Sequence, residues 1–195
     1  MRRVRLAIVG AGKMALWHLR AYARLPHVEI VAIANPVSSR GQALARAFKI
    51  PHHFSNTHEM LQLEGIDAVD VCVPTGLHRD IVCEALDRGM HVYCEKPLGA
   101  TVEDIVAIQH ANRGLVVFNG FNLRFCPEYI RLGKLISAGT LGEVRLLLMT
   151  RTTRERADSY MFQQGLNAGI LSEFTIHFID LLFAWGCVAT TKTDS

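Results

Sequence analysis

Apolar residues fall along this chain in two alternating rhythms. Short β-rich apolar runs from Val4 to Val9, Ile30 to Ala34, Val69 to Val73, Val92 to Glu95 and Val116 to Asn119 read as strands, with a weaker one from His52 to Phe54. Between them, the segments Met14 to Leu25, Ser38 to Phe48, His78 to Arg88 and Val102 to Asn112 space their apolar side chains three and four apart, as helices packed on a sheet do. Near-continuous apolar runs suit strands buried on both faces, so the alternation predicts an α/β domain, a doubly wound parallel sheet covered by helices. Gly89 stands where a helix C-cap glycine would. After Asn119 the rhythm changes. A helix from Glu128 to Ser137 is followed by Gly139 and Gly142, then an extended run from Glu143 to Thr153, then a helix from about Ile170 to Ala184. The expected organisation is the α/β domain over residues 1–120 and a truncated α+β domain with an open sheet over residues 121–195. No internal repeat or low-complexity linker separates them, so the two parts are expected to pack closely.

Composition narrows the partners. Half of the 195 residues are hydrophobic and a fifth are charged, the balance of a soluble globular protein. A net charge of +3, dispersed along the chain, argues against nucleic acid as the main partner. The opening Met-Arg-Arg-Val-Arg has the charge of a secretory leader, but the apolar run that follows, Leu6 to Val9, is stopped by Gly10 and is too short for one. No apolar run elsewhere could span a bilayer, so no membrane role is expected. The cysteines, Cys72, Cys83, Cys94, Cys126 and Cys187, form no Cys-x-x-Cys pair and sit mostly in apolar stretches. They read as reduced core thiols of a cytoplasmic protein, without disulfide or metal roles. His52 and His53 lack suitably spaced cysteine or acidic partners and are assigned no metal.

Gly10-Ala11-Gly12-Lys13-Met14-Ala15 follows an apolar strand and opens a helix, the context that the Gly-x-Gly-x-x-Gly/Ala fingerprint requires. Gly10 permits the tight turn, Gly12 lets a pyrophosphate approach the backbone, and Ala15 lets the helix pack close to the strand. The helix N-terminus then offers unpaired N–H groups and a partial positive charge to the phosphates. The domain is therefore read as a Rossmann-type dinucleotide-binding fold for NAD or NADP. Where the fingerprint expects an acidic residue for the ribose 2′-hydroxyl, this chain has Asn35, followed by Ser38, Ser39 and Arg40. Asparagine lacks the charge that would repel a 2′-phosphate, which tips the reading slightly toward NADP. The same residues would equally serve to cap the next helix.

Three more segments carry a resemblance. They are Pro74-Thr75-Gly76-Leu77-His78, Gly89-Met90-His91-Val92-Tyr93-Cys94-Glu95-Lys96-Pro97, and Asn122-Leu123-Arg124-Phe125-Cys126-Pro127. With Gly139-Thr140-Leu141-Gly142-Glu143-Val144 and the helix containing His177-Phe178-Ile179-Asp180, they resemble the glucose-fructose oxidoreductase, inositol dehydrogenase and MocA (Gfo/Idh/MocA) family from residue 3 to about 186. That resemblance implies an NAD(P)-dependent dehydrogenase or reductase acting on a CH–OH group of a sugar, cyclitol or related compound. It implies a catalytic role for Lys96, in a Lys-Pro step whose bond is often cis, and acid–base work by His177. In the family, the residue four before that histidine is commonly aspartate and orients it. Here the place is taken by Glu173, one methylene longer. The resemblance also places Pro74, Thr75 and His78 against the nicotinamide ribose. Cofactor contacts are thus expected from Gly10, Gly12, Lys13, Met14, Asn35, Ser39, Arg40, Pro74, Thr75, His78, Glu95 and Lys96. Arg124 and Asp180 are weaker candidates for the substrate.

From the residues alone, blander roles stay open. Glu-Lys-Pro can be a solvated turn, His78 an ordinary helix residue, and His177 a satisfied interior histidine. Glu173, His177 and Asp180 do share a face, being spaced i, i+4 and i+7 on one predicted helix. The family's second domain is a large open sheet, and several of its strands would follow the last residue here. The run Glu143 to Thr153 is expected to be its first strand, exposing the edge Leu146-Leu147-Leu148-Met149 unless another chain pairs with it. A truncated or frame-shifted product, a short form completed by a partner, and a homo-oligomer pairing these strands are the three explanations. Two functions of different class follow: an NAD(P)-dependent oxidoreductase, or a catalytically silent nucleotide-binding module.

Overall fold

A computed structural model describes residues 2–152, 159–163 and 165–187. Six parallel strands form one sheet: β1 (Val4–Val9), β2 (Val28–Ala34), β3 (His52–Phe54), β4 (Ala68–Val71), β5 (His91–Cys94) and β6 (Val117–Asn119). Their spatial order is β3-β2-β1-β4-β5-β6. The helices α1 (Lys13–Tyr22), α2 (Ser38–Phe48), α3 (Thr57–Leu61), α4 (His78–Asp87) and α5 (Val102–Ala111) make the crossovers. Because alternate side chains of a strand point to opposite faces, β1 feeds two cores. Ile8 joins Ala15, Leu19, Ile33 and Ala45 under α1 and α2. Ala7 and Val9 join Met60, Val69, Val71, Val82 and Leu86 on the other face. The fold is the doubly wound sheet that the hydrophobic rhythm predicts.

Local chemistry sets the ends of several elements. α1 stops at Tyr22 rather than Leu25. Pro26 disfavours the helical conformation at the residue before it, and the chain leaves through the short-range bonds Arg24 N to Ala21 O and Leu25 N to Tyr22 O. Gly89, at φ +77°, closes α4 with the paired bonds Gly89 N to Leu86 O (2.9 Å) and Met90 N to Ala85 O (3.0 Å), which is a Schellman ending. The helix α3 has no counterpart in the sequence reading. It is held at its start by Asn56, whose side chain accepts from the N–H groups of His58 and Glu59.

Beyond β6 lie α6 (Pro127–Ser137), which opens on a proline at its first turn, and α7 (Ile176–Ala184), which is preceded by a π turn over Leu171–Thr175. The strand expected from Glu143 to Thr153 does not form. Residues 143–152 are irregular, Thr153 lies outside the described residues, and Leu146 and Leu148 are 85% and 86% exposed. A strand exists through its ladder, and no neighbour among the described residues offers one. Among the described residues no helix is long and apolar enough to cross a membrane.

Candidate active site

The strand order reverses between β1 and β4, so the crevice outside their carboxyl ends is where an open α/β sheet holds ligands. Three sequence-predicted segments arrive there: Gly10 to Ala15 after β1, Pro74 and Thr75 after β4, and Glu95 and Lys96 after β5. Gly10 has φ +106°, a region closed to other residues, and a Cβ there would stand 2.2 Å from the carbonyl oxygen of Cys72. Gly12 is bare for a different reason, since a Cβ on it would meet nothing within 4 Å. Its space is open to a ligand. Gly12 is also the N-cap of α1, which has neither a side-chain cap nor an acidic residue in its first turn. Uncapped donors, the positive end of the helix dipole and an open approach fit a pyrophosphate.

Asn35 braces this turn. Its Oδ1 accepts from Ala11 N at 3.1 Å and its Nδ2 donates to Val37 O at 2.9 Å, leaving one lone pair and one N–H for a hydroxyl. Ser39 and Arg40 are exposed on the first turn of α2, and Arg40 has no ion-pair partner among the described residues. Lys13 lies over the ring of Trp17, 4.8 Å from its centre, and Met14 is half-buried.

Lys96 begins the cis peptide bond to Pro97. Its Nζ donates to the backbone carbonyl of Glu173 at 2.6 Å and lies 3.6 Å from Glu173 Oε2. Burial is the main influence on the amine and lowers its pKa, against the opposing pull of Glu173 and Glu95. Glu173 is only 1% exposed. Its Oε1 accepts from the Thr75 hydroxyl at 2.6 Å and from Ala168 N at 3.2 Å, while Oε2 has no hydrogen-bond partner. The expected pairing of Glu173 with His177 is absent. Glu173 sits in the π turn and its carboxylate is committed to Thr75, Ala168 and Lys96. His177 is buried, and its Nδ1 has no hydrogen-bond partner. Burial first, then the positive charges of Lys96 and Arg151, lower its pKa to about 4, so the ring is neutral near pH 7 and a weak base there.

The side chains of two expected cofactor contacts are engaged within the protein. His78 is fully buried, and both ring nitrogens face protein carbonyls: Nδ1 to Pro97 O at 2.8 Å and Nε2 to Val73 O at 2.9 Å. Burial lowers its pKa despite these acceptors. The ring ties the turn at Pro97 to the end of β4 and has no nitrogen to spare for a ligand. Thr75, likewise buried, gives its hydroxyl to Glu173. The two weaker candidates bond each other, with Arg124 Nε and an Nη meeting the Asp180 carboxylate at 2.7 and 2.6 Å. This fork–fork pair pins the segment before α6 to α7 and takes up the guanidinium edge expected to hold a substrate oxygen. A cavity of about 580 Å³ lies between these helices, against Ile130, Gly133, Leu181 and Trp185.

Glu95 leads to a group that sequence reasoning missed. His18, in α1, stands between two carboxylates, with Nδ1 2.8 Å from Asp70 Oδ2 and Nε2 3.2 Å from Glu95 Oε1. Asp70 is wholly buried and also accepts from the Tyr22 hydroxyl at 2.9 Å and from the Cys72 thiol at 3.3 Å. Burial alone would lower the His18 pKa, but the hydrogen bonds its ring donates to Asp70 and Glu95 raise it to about 9. Burial together with Asp70 pushes the Tyr22 hydroxyl and the Cys72 thiol well up. The ligand-type atoms of His18, Asp70 and Cys72 lie within 4.8 Å of one another and hydrogen-bond each other. A lone carboxylate inside the apolar run Val69-Asp70-Val71 was the visible signal.

Comparison with known proteins follows the same lines. The profile of an oxidoreductase family with an NAD-binding Rossmann fold, Gfo/Idh/MocA, matches residues 4–121. The NAD(+)-dependent scyllo-inositol 2-dehydrogenase of Bacillus subtilis is 30% identical over 183 residues, covering 92% of this chain and 53% of that protein. The rhizopine catabolism protein MocA of Rhizobium meliloti is 36% identical over 150 residues, covering 75% and 46% respectively. Among solved structures, the scyllo-inositol dehydrogenase of Lactobacillus casei with bound NAD(H) and scyllo-inositol superposes with a TM-score of 0.69 at 27% identity, covering 73% of this chain and 44% of that one. The chain thus spans about half the length of the curated relatives it matches.

Proposed function

The chain belongs to the Gfo/Idh/MocA oxidoreductase family, with an NAD-binding Rossmann fold, and from that premise we propose that it transfers a hydride between a nicotinamide cofactor and a sugar, cyclitol or related hydroxyl or carbonyl compound. The observation that carries this reading is the meeting of Lys96, Glu173 and a neutral His177 at the strand ends, beside an uncapped glycine turn. In this reading residues 1–120 hold the nucleotide and residues 121–195 supply the substrate side. Gly10, Gly12, Lys13 and Met14 bind the pyrophosphate. Asn35, Ser39 and Arg40 meet the adenosine ribose, where the absence of an acidic residue and the exposed Arg40 favour NADP slightly over NAD. Pro74, Glu95 and Lys96 flank the nicotinamide.

NAD(P) held by these residues would supply the hydride acceptor. Lys96, with N–H groups left over after its bond to Glu173 O, holds the substrate hydroxyl and orients its carbon. His177 takes the hydroxyl proton as the hydride departs, which requires the neutral ring that its environment enforces. Glu173 holds Lys96 in place rather than His177, and Arg124 and Asp180 border the substrate side as a bonded pair. A homo-oligomer would cover the exposed Leu146 and Leu148.

The test is nucleotide reduction with a panel of polyols, alongside fluorescence titration with NADH and NADPH on a sample whose mass in solution is measured. Turnover is expected with some member of the panel and is abolished in Lys96→Ala and in His177→Ala. Persistence of full turnover in both variants sinks the mechanism. Nucleotide binding without turnover on any substrate leaves the silent-module reading in its place.

A further inference from the structure

The second turn of α1 carries His18, a residue that neither the glycine turn nor the Lys96 cluster uses. It is more than an ordinary core histidine, because three elements converge on it. From β4 and the residue that follows it come Asp70 and the Cys72 thiol, the latter 3.3 Å from Nδ1. From the end of β5 comes Glu95, with the Tyr93 ring edge-on at 5.2 Å. From α1 itself comes Tyr22, whose hydroxyl bonds Asp70. Cys72 also forms the floor of the glycine turn, since its carbonyl oxygen blocks any side chain at Gly10 and its N–H bonds Val9 O at 2.8 Å. The cluster therefore sits directly under the expected pyrophosphate site.

We propose that His18 is a positioning residue for the cofactor: it fixes the Glu95 carboxylate against α1 and cancels one of two negative charges that would otherwise lie beneath an anionic dinucleotide. Without a cation between them, Asp70 and Glu95 would repel each other and the bound phosphates through a low-dielectric medium. The imidazolium removes one unit of that charge and ties the cofactor helix to the strand end that carries Lys96. The raised pKa keeps this cation in place at neutral pH. A raised value means that the folded form holds the proton more tightly than a free histidine does. The cation that supports the cofactor is therefore in place at neutral pH and is lost as pH rises through about 9. The proposal rests on the dinucleotide reading of the glycine turn and deepens it.

The test measures NADH affinity by fluorescence on the full chain, from pH 7 to pH 10, for the wild type and for His18→Gln, which keeps hydrogen-bonding capacity without charge. At pH 7.5 the variant should bind NADH roughly tenfold more weakly. The gap should close above pH 9 as the wild type loses its proton, while titration of Lys96 affects both proteins alike. Equal affinity at pH 7.5 in a variant with wild-type circular dichroism overturns the proposal. If that variant does not fold, His18→Asn takes its place in the same comparison, and equal affinity at pH 7.5 again overturns the proposal. A wild type that binds no NADH at any pH overturns the dinucleotide reading and this role together, whereas NADH binding that ignores His18 overturns this role alone.

Discussion

Replacing Thr75 by valine removes one hydroxyl and changes almost nothing else in shape. The hydroxyl donates at 2.6 Å to Glu173 Oε1, across 98 residues of sequence, inside a site where the glutamate is 1% exposed. The other support of that carboxylate is weaker: Ala168 N at 3.2 Å and the Lys96 amine at 3.6 Å. A hydrogen bond to a charged group contributes about 1.5–3 kcal/mol, and a buried acceptor left under-satisfied forfeits water as well as its partner. Taking about 2 kcal/mol, and about 2–4 °C per kcal/mol for a chain of this size, the melting temperature should drop by roughly 4–8 °C. Calorimetry at pH 7.5 on wild type, Thr75→Val and Thr75→Ser reads it directly, with serine expected to recover most of the loss. A valine variant that melts within a degree of wild type would refute the reasoning. It would mean either that the hydroxyl bond is not formed or that water replaces it.

Gly10→Ala combines a positive φ with a Cβ 2.2 Å from a backbone carbonyl, so a destabilisation above about 3 kcal/mol is expected in urea unfolding. Gly12→Ala, which meets nothing inside the protein, should instead keep its stability and lose NADH affinity in the same samples. Because the His177 pKa is depressed to about 4, the unfolded chain binds the extra proton between about pH 6.5 and 4, and stability must fall as pH falls through that window. The full effect is at most about 3 kcal/mol, checked by comparing the pH dependence of urea midpoints in wild type and His177→Phe. Arg124→Lys leaves the charge but not the fork, and should loosen α7 enough to lower the melting temperature by a few degrees, read by circular dichroism.

The sheet was legible because apolar runs and helical periods are local signals, and β1, β3 and α2 match their expected bounds to the residue. α3 escaped because five residues with two buried side chains make no readable period. Its start was written in Asn56 and in Glu59 three residues later. The roles of Lys96, Glu173 and His177 were legible only through family resemblance, and their connections were not legible at all. That Glu173 reaches Thr75 and Lys96 rather than His177 depends on a π turn, which no spacing rule announces. His18, Asp70 and Glu95 illustrate the same limit, since their bonds join residues 52 or more positions apart. The extended run after Glu143 shows the converse, because a good strand sequence forms no strand without a neighbour to pair with.

The strand order also sets a schedule for synthesis. β1 lies in the middle of the sheet, paired with β2 on one side and with β4 on the other, where Leu6 meets Ala68. At about 5–20 residues per second, a ribosome delivers β4 roughly 3–12 s after β1. For those seconds Leu6 to Val9 waits as an uncovered apolar edge, the kind of segment on which nascent chains cross-pair. Arg2, Arg3 and Arg5 stand immediately before it as charged gatekeepers. The wait ends when Asp67 emerges at the threshold of β4: it accepts from Arg5 N at 2.9 Å and pairs with the Arg2 guanidinium, so the residue that admits β4 to its place also neutralises one of the charges that kept the edge apart.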